Sequence, residues 1–392
     1  MSFRSKLSRL TPPSSGLVPA EAIHVEAPPP ISPPPTRADA LADLRARMSA
    51  VLERHARRAP APPPPVDTVD LPFVTTETSA GPLSIRTQRL SPAHRTGRAP
   101  LLAARAASAR LLALLALDPS LASCDPARAL YLDTETTGLH GGTGTVAFLV
   151  GLAFWEPGAG GLVVEQVLVR NLGEEEPMLA HVRARIAQAS MLVTFNGKSF
   201  DLPLLRTRFV MARLTPPVEP PHLDLVHVAR RLHKPRGVTC RLVTIERDVL
   251  GFERIDDVPG GEVSARYLHF LRTGDAGALV GVIEHNAWDV VAMAALVGLY
   301  GEPLEGTQLD PEDLVGVART LQRARAVDEA WETVQKAVEA GAGEASLRAR
   351  AELAKARGDR ARALADFEAL AVGVDDPRVR LELAKLYEHF VR

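Results

Sequence analysis

The sequence predicts an α/β fold, a mixed sheet flanked by helices, followed by an all-α region of helical repeats. Three observations carry that expectation. Residues 128–303 alternate short apolar strands with helical stretches, the pattern of a mixed sheet covered on its faces. Residues 310–392 turn to Ala, Leu, Glu and Arg with almost no strand signal. Inside that tail, Glu352-Leu353-Ala354-Lys355 recurs as Glu382-Leu383-Ala384-Lys385, and Asp328-Glu329-Ala330-Trp331 is echoed by Arg360-Ala361-Arg362-Ala363-Leu364 some 33 positions on. Helical pairs at a period of 30-odd residues look like tetratricopeptide repeats, which bind peptides or partner proteins or else buttress a neighbouring domain.

In chain order, residues 1–67 are rich in Pro and Ser, with runs at Pro28–Pro30 and Pro33–Pro35. Such a stretch buries too little apolar surface to offset its ordering entropy and is expected to be largely disordered. One amphipathic helix is expected within it, Ala38–Arg58, from Leu41, Leu44, Met48, Val51 and Leu52; it would dock on the body or on a partner. Residues 68–127 read as an N-terminal extension packing on the core. Weak alternation over Phe73–Arg89 suggests a hairpin, and Leu101–Leu117 reads as one helix. His94 sits between them as a loop residue, a ligand or substrate contact being the alternative.

At 392 residues there is room for two or more domains, and a formal net charge of −1 means that any basic footprint must be local. Cys124 and Cys240 lie far apart in no metal-like spacing, which suggests a reducing compartment. The N-terminus lacks a signal peptide's apolar run, and apolar stretches such as Leu111–Leu117 read as too short to span a membrane. A cytoplasmic protein without membrane partners is the expectation.

Three stretches within 128–303 carry chemistry. In the first, Ala129 to Leu132 is an apolar strand running into Asp133-Thr134-Glu135-Thr136-Thr137-Gly138-Leu139. Alternate strand residues share a face, so Asp133 and Glu135 point the same way. Two such charges repel unless a cation lies between them, and hard divalent cations take carboxylate oxygens; a strand ending in solvated acids is the alternative. Strands at Thr145–Phe154 and Leu162–Val169 follow, expected to be antiparallel, then a helix at Pro177–Gln188. The second stretch, Met191 to Asp201, is a strand, a turn at Asn196-Gly197-Lys198, and an acid at a helix start, which is either a ligand or a first-turn charge favoured by the helix dipole. Helices are expected at Asp201–Arg213, Leu223–Leu232, Leu242–Leu250 and Glu284–Leu299. The third stretch, His285-Asn286-Ala287-Trp288-Asp289, puts His285 and Asp289 on one helical face amid apolar residues.

Asp133, Glu135, Asp201 and Asp289 together offer four carboxylates, enough for two divalent ions clamping the attacking and leaving oxygens of a phosphoryl displacement, with His285 as general base. The three stretches resemble, in order, the motifs of the DEDD 3′–5′ exonucleases of the ribonuclease-H-like superfamily. The resemblance is closest to the bacterial YprB-type ribonuclease-H-like family, through Gly141-Gly142-Thr143-Gly144-Thr145 after the first motif, Phe195 to Asp201, and His285-Asn286 before Asp289. It covers about residues 128–300. It implies a ribonuclease-H-like sheet and hydrolysis of nucleic acid with Mg²⁺ or Mn²⁺, two ions, held by Asp133, Glu135, Asp201 and Asp289. In the histidine subclass the His precedes the last Asp by five positions and in the tyrosine subclass the Tyr by four; His285 stands at the tyrosine spacing.

Substrate contacts are expected from Thr134, Thr136, Asn196, Lys198, Arg206 and Asn286. Arg206 to Arg247 holds nine Lys or Arg against three acids, about +6 in net charge, a patch able to neutralise phosphates or else a solvated face. Asp224 reads as an orienting residue or a plain helix cap. The expected function is 3′–5′ exonuclease action on the 3′ end of single-stranded DNA or RNA, with a protein partner on the repeats. The alternatives are a non-catalytic nucleic-acid-binding adaptor and a structure-specific endonuclease.

Overall fold

The computed structural model describes residues 69–138, 144–158 and 160–391. The Pro-rich segment with its expected helix at Ala38–Arg58, Leu139 of the first motif, and Gly141-Gly142-Thr143 after it lie outside the described residues.

β1 (Val74–Thr78) and β2 (Gly81–Leu90) form an antiparallel hairpin. A short hairpin of β3 (Arg95–Thr96) and β4 (Ala99–Pro100) leads into α1 (Leu102–Arg105) and α2 (Ala109–Ala116). The sequence predicted one helix over Leu101–Leu117. Ser108 divides it, because its hydroxyl accepts from the Leu111 N–H at 3.2 Å and caps a new helix.

β5 (Ala129–Thr136), β6 (Ala147–Trp155) and β7 (Leu162–Leu168) form an antiparallel meander. After α3 (Glu176–Gln188), β8 (Met191–Thr194) returns parallel to β5; after α4 (Asp201–Met211), β9 (His222–Asp224) lies parallel to β8 and runs directly into α5 (Leu225–Leu232). The seven-stranded order is β1-β2-β7-β6-β5-β8-β9. The extension therefore adds two strands to the sheet itself, because β2 pairs with β7 from Ser84 to Leu90. β9 is a correction to the expected helix start at Leu223: three residues are too few to show a strand period.

α6 (Leu242–Ile245) passes into a wider π turn over Glu246–Leu250. α7 (Gly260–Thr273) was not anticipated; it opens on two glycines and buries only Val263 and Tyr267. α8 (Gly277–Tyr300) is the longest helix described and crosses the sheet face. Its length and apolarity would suffice to span a membrane, yet 61% of its most apolar window is packed inside the protein.

Strand alternation divides the core. Leu130 and Leu132 face α3 and α4, meeting Val182, Leu205 and Phe209. Tyr131 faces α8, with Ala153, Val193, Val290 and Met293. Both faces of the central strands are thus covered, which is why they read as nearly continuous apolar runs.

The tail is helical: α9 (Pro311–Arg323), α10 (Val327–Glu339), α11 (Gly343–Arg357), α12 (Arg360–Gly373) and α13 (Pro377–Leu386). Buried positions recur at a spacing of 33, as 330 and 363, 334 and 367, 337 and 370. Positions 313, 346 and 379 follow the same spacing. The two Glu-Leu-Ala-Lys segments, 30 apart, fall out of that register. α9 is fastened to the domain by the wholly buried Asp313, 2.8 Å from His233 Nδ1, whose Nε2 lies 2.8 Å from Tyr300 Oη.

Candidate active site

The site lies where β5 passes beneath α8. Because the strand alternates, Asp133 and Glu135 follow Tyr131 on the α8 side. β8 ends in a turn with Asn196 at φ +73°, and Asp201 opens α4 directly after it. Gly197 is required there: a Cβ would lie 2.5 Å from Thr194. Asp224 holds that turn, accepting from the N–H groups of Asn196 at 2.7 Å and Lys198 at 3.0 Å while capping α5 through Val226 at 3.2 Å. Both readings of Asp224 therefore hold at once.

On α8, His285 Nε2 lies 3.9 Å from Glu135 and 3.6 Å from Asp289, and one ligand atom from each of the three falls within 4.8 Å of the others. Asn286 donates to Asp133 Oδ2 at 2.8 Å, and Thr134 Oγ1 bonds Asp201 Oδ1 at 2.5 Å. Burial, then the charges of Asp289, Asp201 and Glu135, hold the Asp133 carboxyl well above the usual carboxylate range. Glu135 is pushed up to about 8 by burial and Asp289, against His285 and Arg254, which pull it down. Burial raises Asp201 to about 6 despite its hydrogen bond from Thr134. Carboxylates that raise one another in this way fit a divalent cation, whose charge removes the repulsion.

Three further residues of this site, Arg254, Glu246 and Asp257, lie outside the three sequence stretches. The Arg254 guanidinium, 1% exposed, is bidentate to Glu246 at 2.7 and 2.8 Å, reaches Asp257 at 3.4 Å and bonds Asp289. His285 Nδ1 lies 2.6 Å from Asp257 Oδ1, so its N–H donates there and Nε2 is left facing Glu135 and Asp289. Burial lowers the pKa of the imidazole, but Asp289, Glu135 and Asp257 outweigh it and the net shift is upward.

Asn286 is fully buried, and its Oδ1 accepts from Gln166 at 3.0 Å, so its place is to hold Asp133 rather than to meet substrate. It fits because β6 has Gly151 opposite, where a Cβ would lie 2.4 Å from Asn286 Oδ1. Gly151→Ala is expected to displace Asn286 and destabilise the fold by about 1–3 kcal/mol, as overpacking does. A urea melt reads this, and an unchanged midpoint would mean that Asn286 shifts without strain.

The other expected substrate contacts divide. Thr134 is committed to Asp201, and Thr136 Oγ1 to the Gly138 carbonyl at 2.9 Å. Asn196 and Lys198 are exposed at the turn, with Lys198 Nζ 3.9 Å from Asp118. Arg206 is taken up by Glu219, bidentate at 2.7 and 2.6 Å. The basic segment is partly neutralised in the same way, by three acids outside the count, through Arg208 with Glu175, Arg236 with Asp313 and Arg247 with Asp248. A net +6 counted along the chain is therefore not a +6 patch.

Asp133 and Glu135 on β5, Asp201 at the start of α4, and His285 and Asp289 on α8 thus converge at the end of a central strand of a mixed sheet, an arrangement that fits a divalent cation. Residues 130–300 match the model of the RNase_H superfamily, and the chain carries a domain of that superfamily. Over 169 residues it is 38% identical to Uncharacterized protein YprB of Bacillus subtilis (strain 168), a match taking in 42% of this chain and 40% of that one. The chain thus spans about two fifths of that relative's length. Among solved structures, the family B DNA polymerase from the hyperthermophilic archaeon Pyrobaculum calidifontis shares 13% identity at a TM-score of 0.36, over 58% of this chain and 29% of the polymerase.

Proposed function

We propose that the chain is a metal-dependent 3′–5′ exonuclease, hydrolysing phosphodiester bonds of single-stranded nucleic acid in the cytoplasm by a two-metal mechanism. The observation that carries this reading is the convergence of Asp133 and Glu135 on β5, Asp201 at the start of α4 and Asp289 on α8, with His285 Nε2 3.9 Å from Glu135 and 3.6 Å from Asp289 and like charges raising Asp133 and Glu135, in a region that matches the RNase_H superfamily model. Two Mg²⁺ or Mn²⁺ ions held by these four carboxylates would supply electrophilic stabilisation of the attacking and leaving oxygens.

The chain's own residues do the rest. Asn286 and Thr134 fix the orientations of Asp133 and Asp201. Asp257 holds the His285 tautomer, so that Nε2 is the atom that accepts a proton from the attacking water. This gives His285 a base's geometry despite its spacing from Asp289. Asn196 and Lys198, exposed at the β8–α4 turn, are the groups best placed to meet the substrate backbone. The helical tail, with burial repeating every 33 residues, is proposed as a tetratricopeptide-like module for a protein partner.

Asp257→Asn is expected to lower kcat about 10- to 100-fold, the usual cost of losing an orienting partner. Since Asp257 raises the His285 pKa, its loss moves the acid limb of the pH–rate profile to lower pH. An unmoved limb with a reduced rate would take His285 out of the base role. The reading as a whole is tested with 5′-labelled single-stranded DNA and RNA in Mg²⁺ or Mn²⁺. A ladder shortening from the 3′ end, lost in EDTA, supports it and chooses the sugar. Internal cuts would make the enzyme an endonuclease, and binding without cleavage would make it an adaptor.

A further inference from the structure

Glu284, Ala287, Trp288 and Val291 share one flank of α8, next to the stripe that carries His285 and Asp289. Between that flank, β2 and the β3–β4 hairpin lies a cavity of about 200 Å³. It is too small for a drug-sized molecule, whose pockets run to roughly 300–1,000 Å³, yet it has the volume of about seven waters. Trp288 and Phe252 give it aromatic walls, and Gln88, His94 and Glu284 a polar rim.

Thr96, which also lines it, is only 3% exposed, and its Oγ1 is buried without a hydrogen-bond partner among the described residues. A buried hydroxyl left unmatched is unfavourable, so such a group is a reason to look for a ligand. One wall of the cavity touches a residue of the acid cluster. The Arg254 guanidinium that bonds Asp289 lies over the Trp288 ring, 5.6 Å from its centroid.

We propose that this cavity takes one unstacked base of single-stranded nucleic acid, an inference resting on the nuclease reading above. A base is flat enough for the Trp288 and Phe252 walls, and its edge offers donors and acceptors. The Thr96 hydroxyl can both give and receive, so the site would hold any base with little sequence preference.

The test is a binding scan on the full chain carrying Asp133→Asn, which prevents digestion. Single-stranded oligonucleotides with one abasic step moved along the strand are titrated in Mg²⁺, and the scan is repeated in Phe252→Ala and Thr96→Val backgrounds. The expected result is one position where removing the base weakens binding about 5- to 100-fold, the range for loss of a stacked base. That penalty shrinks in Phe252→Ala. It also shrinks in Thr96→Val, which keeps the volume and loses only the hydroxyl, so a folding defect in the first variant does not decide the matter. A penalty spread evenly over all positions, or one that both variants leave intact, overturns the base site while cleavage by the native chain keeps the nuclease reading. Absence of both cleavage and binding removes both.

Discussion

Replacing Asp133 by asparagine is expected to abolish cleavage and, in the same protein, to raise the melting temperature of the metal-free chain. The loss of rate should exceed the roughly 10- to 100-fold that follows from losing an outer partner of a metal ligand, because Asp133 is proposed as a ligand itself. The gain in stability follows from linkage. Burial and the charges of Asp289, Asp201 and Glu135 raise the folded-state pKa of Asp133, and Glu135 is raised to about 8. A carboxyl raised on folding binds protons that the unfolded chain has released, so stability falls as pH climbs from the ordinary carboxylate range near 4 through the raised value. In EDTA the native chain should therefore melt lower at pH 8 than at pH 5. Asp133→Asn, which removes one of the repelling charges, should melt at least ~2 °C above the native chain at pH 8. Mg²⁺ reverses the order: a ligand at 100 times its Kd adds about 2.7 kcal/mol to the native chain and little to the variant. Calorimetric melts with and without Mg²⁺ read all of this. A variant no more stable than the native chain in EDTA at pH 8 would mean that the cluster is relaxed without a cation.

What the sequence made legible was set by how local each signal is. β5 was visible because apolar residues run straight into two acids two positions apart, and the strand period alone puts both on one face. The helices on either side of the sheet were visible for the same reason, through their own spacing. Arg254 was not, because residues 251–259 have no period and its partners Glu246, Asp257 and Asp289 lie 8, 3 and 35 positions away. Asn286, expected to contact substrate, sits one step round the helix from His285, and that step turns it into the sheet, where it bonds Asp133. Charge along the chain failed at Arg208 and Arg236, whose partners Glu175 and Asp313 are 33 and 77 positions distant. In the tail the eye follows the identical Glu-Leu-Ala-Lys segments, whereas the fold follows buried small and large apolar residues that are not identical, such as Val334 and Phe367.

Arg254→Ala should be the most destabilising single change in the domain. Its guanidinium is the internal cation of the site, bonded to Glu246 and Asp289 and within 3.4 Å of Asp257. Breaking a buried ion pair from one side costs about 3–5 kcal/mol, since the remaining charge keeps its desolvation without its partner. At about 2–4 °C per kcal/mol that is a fall of roughly 6–20 °C. The dependence on pH separates charge from packing. Glu246 is already raised to about 7 by burial even with Arg254 present, so without it the acids are raised further. Protonation relieves them, so the loss should be smaller at pH 5 than at pH 8. Mg²⁺ should restore part of the stability at pH 8, because a cation on Asp289 does for that carboxylate what the guanidinium did. Arg254→Lys keeps the charge but not the fork to Glu246, and should fall between the two. A loss equal at both pH values and indifferent to Mg²⁺ would assign Arg254 to packing against Trp288 instead, and its charge would then have no part in holding the four acids together.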